Sequence, residues 1–195
     1  GGVRVGIAGE YVFENGKVLA LKRATSLCIR IPHRVPGVSA KIYDSVLKDN
    51  LKNVLIISAP GRGKTTILRD LAEKITERTS RNVLICDERG EIAACGSLKR
   101  ADVLSYVDKK QAFSMALRAL RPDVIVTDEL SEADCDDVKR AIRGGAYVAA
   151  TAHFNGVSAL TEAFRGVFDV YVALSDSGTG NIDGLYDKNL RKIQP

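Results

Sequence analysis

The sequence predicts an α/β fold: a parallel sheet covered by helices, preceded by a small antiparallel β piece. Three observations carry this. From Asn53 onward apolar runs alternate with stretches of helical periodicity. The runs Val83-Leu84-Ile85-Cys86 and Val124-Ile125-Val126 are apolar without interruption, as in strands buried on both faces. Residues 3–31, in contrast, alternate with period two around an Asn-Gly turn.

Taken in order, Val3-Arg4-Val5-Gly6-Ile7 and Ser26-Leu27-Cys28-Ile29-Arg30-Ile31 flank a hairpin turn at Glu14-Asn15-Gly16-Lys17. Pro32 and Pro36-Gly37 break the pattern, so a boundary is expected near residues 32–40. Residues 1–36 then form a β-rich N-terminal domain, and residues 37–195 the core. The opening Gly1-Gly2, without methionine, points to a preceding part of that first domain that the chain lacks. Residues 41–48 read as a short helix. Strands follow near 53–57, 82–87, 123–128, 147–152 and 168–174, with helices near 64–78, 111–120, 134–143 and 157–165. Ser177-Gly178-Thr179-Gly180 and residues 182–193 close the chain as a hairpin.

At 195 residues and 45% hydrophobic content the chain suits one substantial domain with a small appendage. The longest apolar stretches fall well short of the roughly 20 residues of a membrane helix, and no signal-peptide pattern opens the sequence, so a soluble intracellular chain without direct membrane insertion is expected. Cys28, Cys86, Cys95 and Cys135 are widely spaced with two histidines to assist them, which argues for buried or half-buried thiols rather than structural zinc. The net charge of +5 is scattered through Lys22-Arg23, Lys99-Arg100, Lys109-Lys110 and Arg191-Lys192 with no interleaved aromatic stripe, which disfavours nucleic acid as a partner.

The loop between the first core strand and the first core helix is Ser58-Ala59-Pro60-Gly61-Arg62-Gly63-Lys64-Thr65-Thr66. Backbone N–H groups in such a loop, with the positive end of the following helix, surround phosphate oxygens. Lys64, expected to be exposed at the loop, reaches the β- and γ-phosphates, and Thr65 offers a hydroxyl to Mg²⁺. Ser58 stands where the pattern has its first glycine, but Gly61 and Gly63 still relax the loop. These nine residues are the expected nucleotide-binding segment.

Asp128, 64 residues after Lys64, ends the apolar strand Asp123-Val124-Ile125-Val126-Thr127-Asp128-Glu129. It reads as the Walker B carboxylate that holds Mg²⁺, with Glu129 facing the γ-phosphate as general base for water. A carboxylate in that place favours hydrolysis over kinase chemistry, whose nucleophile is a substrate. The chain has neither a Leu-Ser-Gly-Gly-Gln-like signature nor an Asn/Thr-Lys-x-Asp guanine reader, so ATP is the expected nucleotide. In hydrolytic folds of this type the strand Tyr147-Val148-Ala149-Ala150-Thr151 lies between the loop strand and the Walker B strand, which brings Thr151 or His153 to the γ-phosphate. The acidic cluster Cys86-Asp87-Glu88-Arg89-Gly90-Glu91 should reach the same sheet edge, where Glu88 or Glu91 positions water or a neighbouring subunit's arginine; an exposed loop with internal ion pairs is the plainer alternative.

With these residues in hand, the chain resembles the stage III sporulation AA family, relatives of the type II/IV secretion and pilus ATPases. The carriers are Arg4-Val5-Gly6-Ile7-Ala8-Gly9, Glu14-Asn15-Gly16, Gly63-Lys64-Thr65-Thr66-Ile67-Leu68-Arg69-Asp70-Leu71-Ala72, Asp87-Glu88-Arg89-Gly90-Glu91-Ile92-Ala93, residues 122–129 and Thr151-Ala152-His153. The resemblance implies a P-loop NTPase core of RecA/AAA-like, secretion-ATPase type. It places residues 86–91 as an acidic box and residues 151–153 as a histidine box, making Glu129, Lys64, His153 and Glu91 the implied catalytic set. It also implies a hexameric ring in which arginines of the N-terminal piece approach phosphate, with Arg30 and Arg34 as candidates and Arg143 and Arg165 as further ones. Implied beyond the chain are a mother-cell cytoplasmic location and membrane-embedded sporulation channel proteins as partners. The sequence departs from the family at Glu129-Leu130-Ser131-Glu132, which lacks the usual glycine after the acids, and at Phe154, where relatives tend to have glycine. A stiffer loop after Glu129 and lower turnover are expected from the first. A nucleic-acid-tracking ATPase and a nucleotide-gated assembly module with little turnover are the alternative functions.

Overall fold

The computed structural model describes residues 3–31, 33–95, 98 and 100–194, with only the backbone described at Arg4 and Cys95. Gly1, Gly2, Pro32 and Lys99, each used in the sequence expectations, lie outside the described residues.

Strands β1 (Arg4–Glu14) and β2 (Lys17–Arg30) pair antiparallel around Asn15-Gly16, both with positive φ as a tight turn of this type demands. This ribbon is exposed along its length, Phe13 and Leu19 being more than 60% accessible.

The core sheet holds β3 (Val54–Ile57), β4 (Val83–Asp87), β5 (Asp102–Ser105), β6 (Val124–Leu130), β7 (Tyr147–Ala152), β8 (Val170–Leu174) and β9 (Ile182–Asp187). Their order is β5-β4-β6-β7-β3-β8-β9, every neighbouring pair parallel except β8 and β9. The expected position of β7, between the loop strand and the Walker B strand, is therefore the observed one.

Successive side chains of a strand point to opposite faces, so each apolar run supplies two cores. Val54 and Ile56 pack with Ile67, Leu68, Leu71 and Ile75 of α2 (Lys64–Arg78) on one face, below α1 (Ala40–Ile42, continued by wider turns over Tyr43–Leu47). Leu55 and Ile57 pack on the other with Ala112 and Phe113 of α3 (Lys109–Met115) and Val138 and Ala141 of α4 (Cys135–Arg143).

Two expectations fail in this region. Strand β5 was not foreseen, because it is a four-residue edge strand with Val103 partly exposed and too short to show a period. The helix expected over 157–165 is a single tight turn, Val157–Ala159. Leu160 is extended (ψ 128°) and its carbonyl accepts from Arg165 Nε (3.0 Å), while the Phe164 carbonyl accepts from Tyr171 Oη (2.6 Å) and, in a turn, from Val167 N (3.3 Å). The apolar spacing that looks helical serves to bury Leu160, Phe164 and Phe168. Cys86 and Cys135 are buried as expected, whereas Cys28 is exposed because the ribbon that carries it has no layer packed over it.

The α2 helix also ties the core to the segment that follows the ribbon. Asp70 accepts from Gly37 N (2.8 Å), Ser39 N (2.8 Å) and Ser39 Oγ (2.5 Å). Glu73 pairs with Arg34 at 2.9 Å. Arg69 donates to the carbonyls of His33 (3.0 Å), Ile92 (2.8 Å) and Glu91. Three polar residues in the second and third turns of the phosphate-loop helix thus hold two loops at once.

Candidate nucleotide site

Parallel α/β sheets bind ligands at the carboxyl ends of their strands, and the chemistry-bearing residues of β3, β4, β6 and β7 all end at that edge. Pro60, Gly61, Gly63, Lys64, Thr65 and Thr66 border an open cavity of about 810 Å³ there, facing Glu91, Glu129 and His153 across it. Gly61 (φ 75°) and Gly63 (φ 89°) are in the left-handed region that an L side chain resists. Gly63 caps α2, so the free N–H groups of the first turn and the positive end of a 15-residue helix face the cavity.

Lys64 corrects one expectation: it is 5% exposed rather than free in solvent. Its Nζ has four acceptors in reach for three hydrogens: Ser58 O (3.0 Å), Ala59 O (2.9 Å), Ser58 Oγ (3.2 Å) and His153 Nδ1 (3.0 Å), so at least two of them share one donor. The ammonium is folded onto its own loop because those carbonyls offer the negative ends it needs. Burial lowers its pKa, which Glu129 partly offsets. As the ammonium has only donors, Nδ1 accepts and His153 presents Nε2–H toward Glu129 Oε1, 3.7 Å away.

Glu129 sits at a break in the β6–β7 register with φ 47°, unusual for a residue with a side chain, and its N–H donates to Thr151 Oγ1 at 2.8 Å. Its other carboxylate oxygen pairs with Arg89. In the loop beyond, where the expected glycine is missing, Ser131 and Asp134 form a capping box. Phe154, the other departure, stacks edge-on against Phe164 at 5.0 Å.

Asp128 is 1% exposed, and its Oδ2 is a buried oxygen without a hydrogen-bond partner, as is Thr127 Oγ1. Burial, reinforced by neighbouring Asp87, pushes the Asp128 carboxyl up to about 6. An orphaned, reluctantly ionised carboxylate at a strand end fits a divalent cation, which would supply the missing charge; Asp128 and the Thr65 hydroxyl are the residues to hold it. Asp87 is engaged differently, taking Glu91 N (2.8 Å) and Ala93 N (2.9 Å).

The other expected residues divide. Glu88 pairs with Lys109 at 2.6 Å, as in the plain ion-pair alternative, while Glu91 borders the cavity. Ser58, Ala59 and Arg62 serve the loop's own structure: Ser58 Oγ donates to Ala59 O, and Arg62 O accepts from Gly180 N at 2.9 Å. Arg30 borders the cavity of its own chain; Arg34 is engaged with Glu73 on α2. Arg165 is held by Leu160 O and Glu162, and neither it nor Arg143 borders the cavity. Arg89 and Thr179 border the site without having been singled out. Arg89 carried a signal, its place within the acidic cluster; Thr179, on the distant β8–β9 turn, carried none.

This loop, strand order and pair of strand-end acids define the fold as that of the P-loop ATPases. Among solved structures it resembles the VirB11 ATPase of the Brucella suis type IV secretion system in complex with sulphate, with a TM-score of 0.60 and 16% identity over 78% of this chain and 52% of that one. The pilus retraction motor PilT with bound ADP matches with a TM-score of 0.60 and 17% identity over 89% of this chain and 59% of that one. The chain belongs to the family described as sporulation stage III, protein AA, which it matches over residues 1–193. It is 34% identical to the stage III sporulation protein AA of Bacillus subtilis (strain 168) over 97% of its own length and 68% of that protein's. The chain spans a little over half of each of the two solved ATPases.

Proposed function

We propose that the protein binds ATP with Mg²⁺ and hydrolyses it, as the ATPase that energises or assembles a secretion-like channel between mother cell and forespore. The observation that carries this is the convergence of the Gly63-capped helix, Lys64, Glu129 and His153 on one cavity, beside the orphaned Asp128 oxygen. Phosphate oxygens would take over the Lys64 donors from Ser58 and Ala59, exchanging neutral carbonyls for charged acceptors. Asp128 and Thr65 would hold a divalent cation, which would supply charge neutralisation at the phosphates. Glu129 orients water toward the γ-phosphate and accepts its proton, and His153 passes contact between Lys64 and Glu129.

Self-assembly into a hexameric ring, with sporulation membrane proteins as partners and a mother-cell cytoplasmic location, completes the proposal. The exposed apolar ribbon, in which Phe13, Leu19 and Leu27 have nothing packed over them, supports assembly. No helix among the described residues is long and apolar enough to cross a membrane, so attachment through partners fits. A second reading, a nucleotide-gated assembly module with little turnover, draws on the Arg89–Glu129 pair and the capped turn after it, since a carboxylate engaged by a guanidinium is a weaker base.

Calorimetric titration with ATP, with and without Mg²⁺, tests the binding step. Wild type should bind more tightly with Mg²⁺, and Lys64→Ala should weaken binding at least about tenfold, the value of one charged hydrogen bond. Equal affinity in the two proteins would remove Lys64 from the site.

A further inference from the structure

Resting on the ATP-binding proposal, we infer that Arg89 is a γ-phosphate sensor acting within its own chain: it pairs with Glu129 when no γ-phosphate is present and turns to that phosphate when ATP arrives, releasing Glu129 to water.

The turn that carries Arg89 is fixed on both sides. Asp87 holds Glu91 N and Ala93 N, Asp87 O accepts from Gly90 N (3.3 Å) and Tyr106 N (3.1 Å), and Glu88 is tied to Lys109. Gly90 has φ 68°, and a Cβ there would come 2.7 Å from Tyr106 Oη, so the ring closes over the turn. Between these anchors the Arg89 side chain, about half exposed, reaches the cavity and meets Glu129 Oε2.

The position of the γ-phosphate follows from Lys64, whose Nζ must meet it. A chain of contacts leads from Lys64 through His153 Nδ1 (3.0 Å) and Nε2 to Glu129 Oε1 (3.7 Å), and Glu129 touches Arg89. The guanidinium is therefore separated from the ammonium that receives the phosphate by one imidazole and one carboxylate, and all four groups border the same cavity. A planar five-donor fork matches phosphate oxygens as well as a carboxylate, and the γ-phosphate carries more charge than Glu129. Glu129 is itself in a strained backbone conformation held by Thr151 and its two side-chain contacts, so losing one of them lets it move. ADP has no γ-phosphate and leaves the Arg89–Glu129 pair in place. The step breaks no covalent bond; it exchanges one ion pair for another.

The test is calorimetry with ADP and with the β,γ-imido analogue of ATP, each with Mg²⁺, on wild type, Arg89→Ala and Arg89→Lys, with circular dichroism to confirm folding. Arg89→Ala should weaken the analogue about tenfold and ADP less than about twofold, since one charged contact to the γ-phosphate is lost. Arg89→Lys should recover part of the difference. If both nucleotides weaken equally, or neither changes, Arg89 does not sense the γ-phosphate and the inference fails while ATP binding stands. If wild type binds neither nucleotide, the binding proposal fails and the sensor with it.

Discussion

Asp128 sits 1% exposed with one unpartnered oxygen, and its carboxyl is pushed from the usual 3.8 up to about 6. A buried carboxylate oxygen without a partner suits the proposed cation, and the cost of leaving it so is measurable. The folded protein keeps this proton between pH 4 and 6 while the unfolded chain releases it. The contribution of Asp128 to stability is therefore largest below about pH 4, falls by roughly 3 kcal/mol as the pH rises to about 6, and is flat beyond. Denaturant midpoints across that range should show the fall in wild type and lose this component in Asp128→Asn. An unchanged slope in the variant would mean that Asp128 is solvated and is no cation ligand. The place of Lys64 at the end of the glycine-rich loop was legible in the sequence, but its burial was not, because the carbonyls that receive it come within reach only when the loop closes on itself. Arg89 was hidden for a related reason: its partner Glu129 lies on another strand, and no spacing along the chain brings the two together.

At the scale of elements, α2 was predicted at its observed bounds, since a glycine cap and an apolar stripe are both local signals. The short turns after Ala152 and the edge strand β5 were not, since tertiary partners decide them: Tyr171 Oη and Arg165 satisfy carbonyls that a helix would have used. The β8–β9 turn has a consequence for the phosphate loop. Gly180 N donates to Arg62 O at 2.9 Å, and a Cβ at Gly63 would lie 3.2 Å from Thr179 Cγ2 and 3.3 Å from Gly180 N. At Gly61 nothing lies within 4 Å, although both glycines have positive φ. Gly61→Ala should thus show the backbone cost alone, about 1–2 kcal/mol, and Gly63→Ala that cost plus displacement of the turn, with weaker ATP binding. Chemical denaturation of the two variants compares them directly. Equal losses would show that the turn does not brace the loop.

At the scale of the whole molecule, the strand order places four strand ends around one cavity, and α2, packed on one face of the sheet, runs from that cavity to the segment after the ribbon. Its amino end meets the phosphate site, while Arg69, Asp70 and Glu73 hold the segment after the ribbon and the acidic loop. The proposed phosphate site and the segment after the ribbon are thus anchored to one helix. The alternation that predicts a parallel sheet was plain in the sequence, and so was the antiparallel ribbon. What the ribbon packs against was not, because its apolar residues face outward from the described chain.

The most direct test of the central claim is steady-state phosphate release from Mg-ATP by wild type and Glu129→Gln across a protein concentration series, with mass followed by light scattering in the same samples. The account predicts turnover that rises as oligomers form and falls at least about 100-fold in Glu129→Gln, whose amide cannot accept the proton. Equal rates in the two proteins, at any concentration, would contradict it.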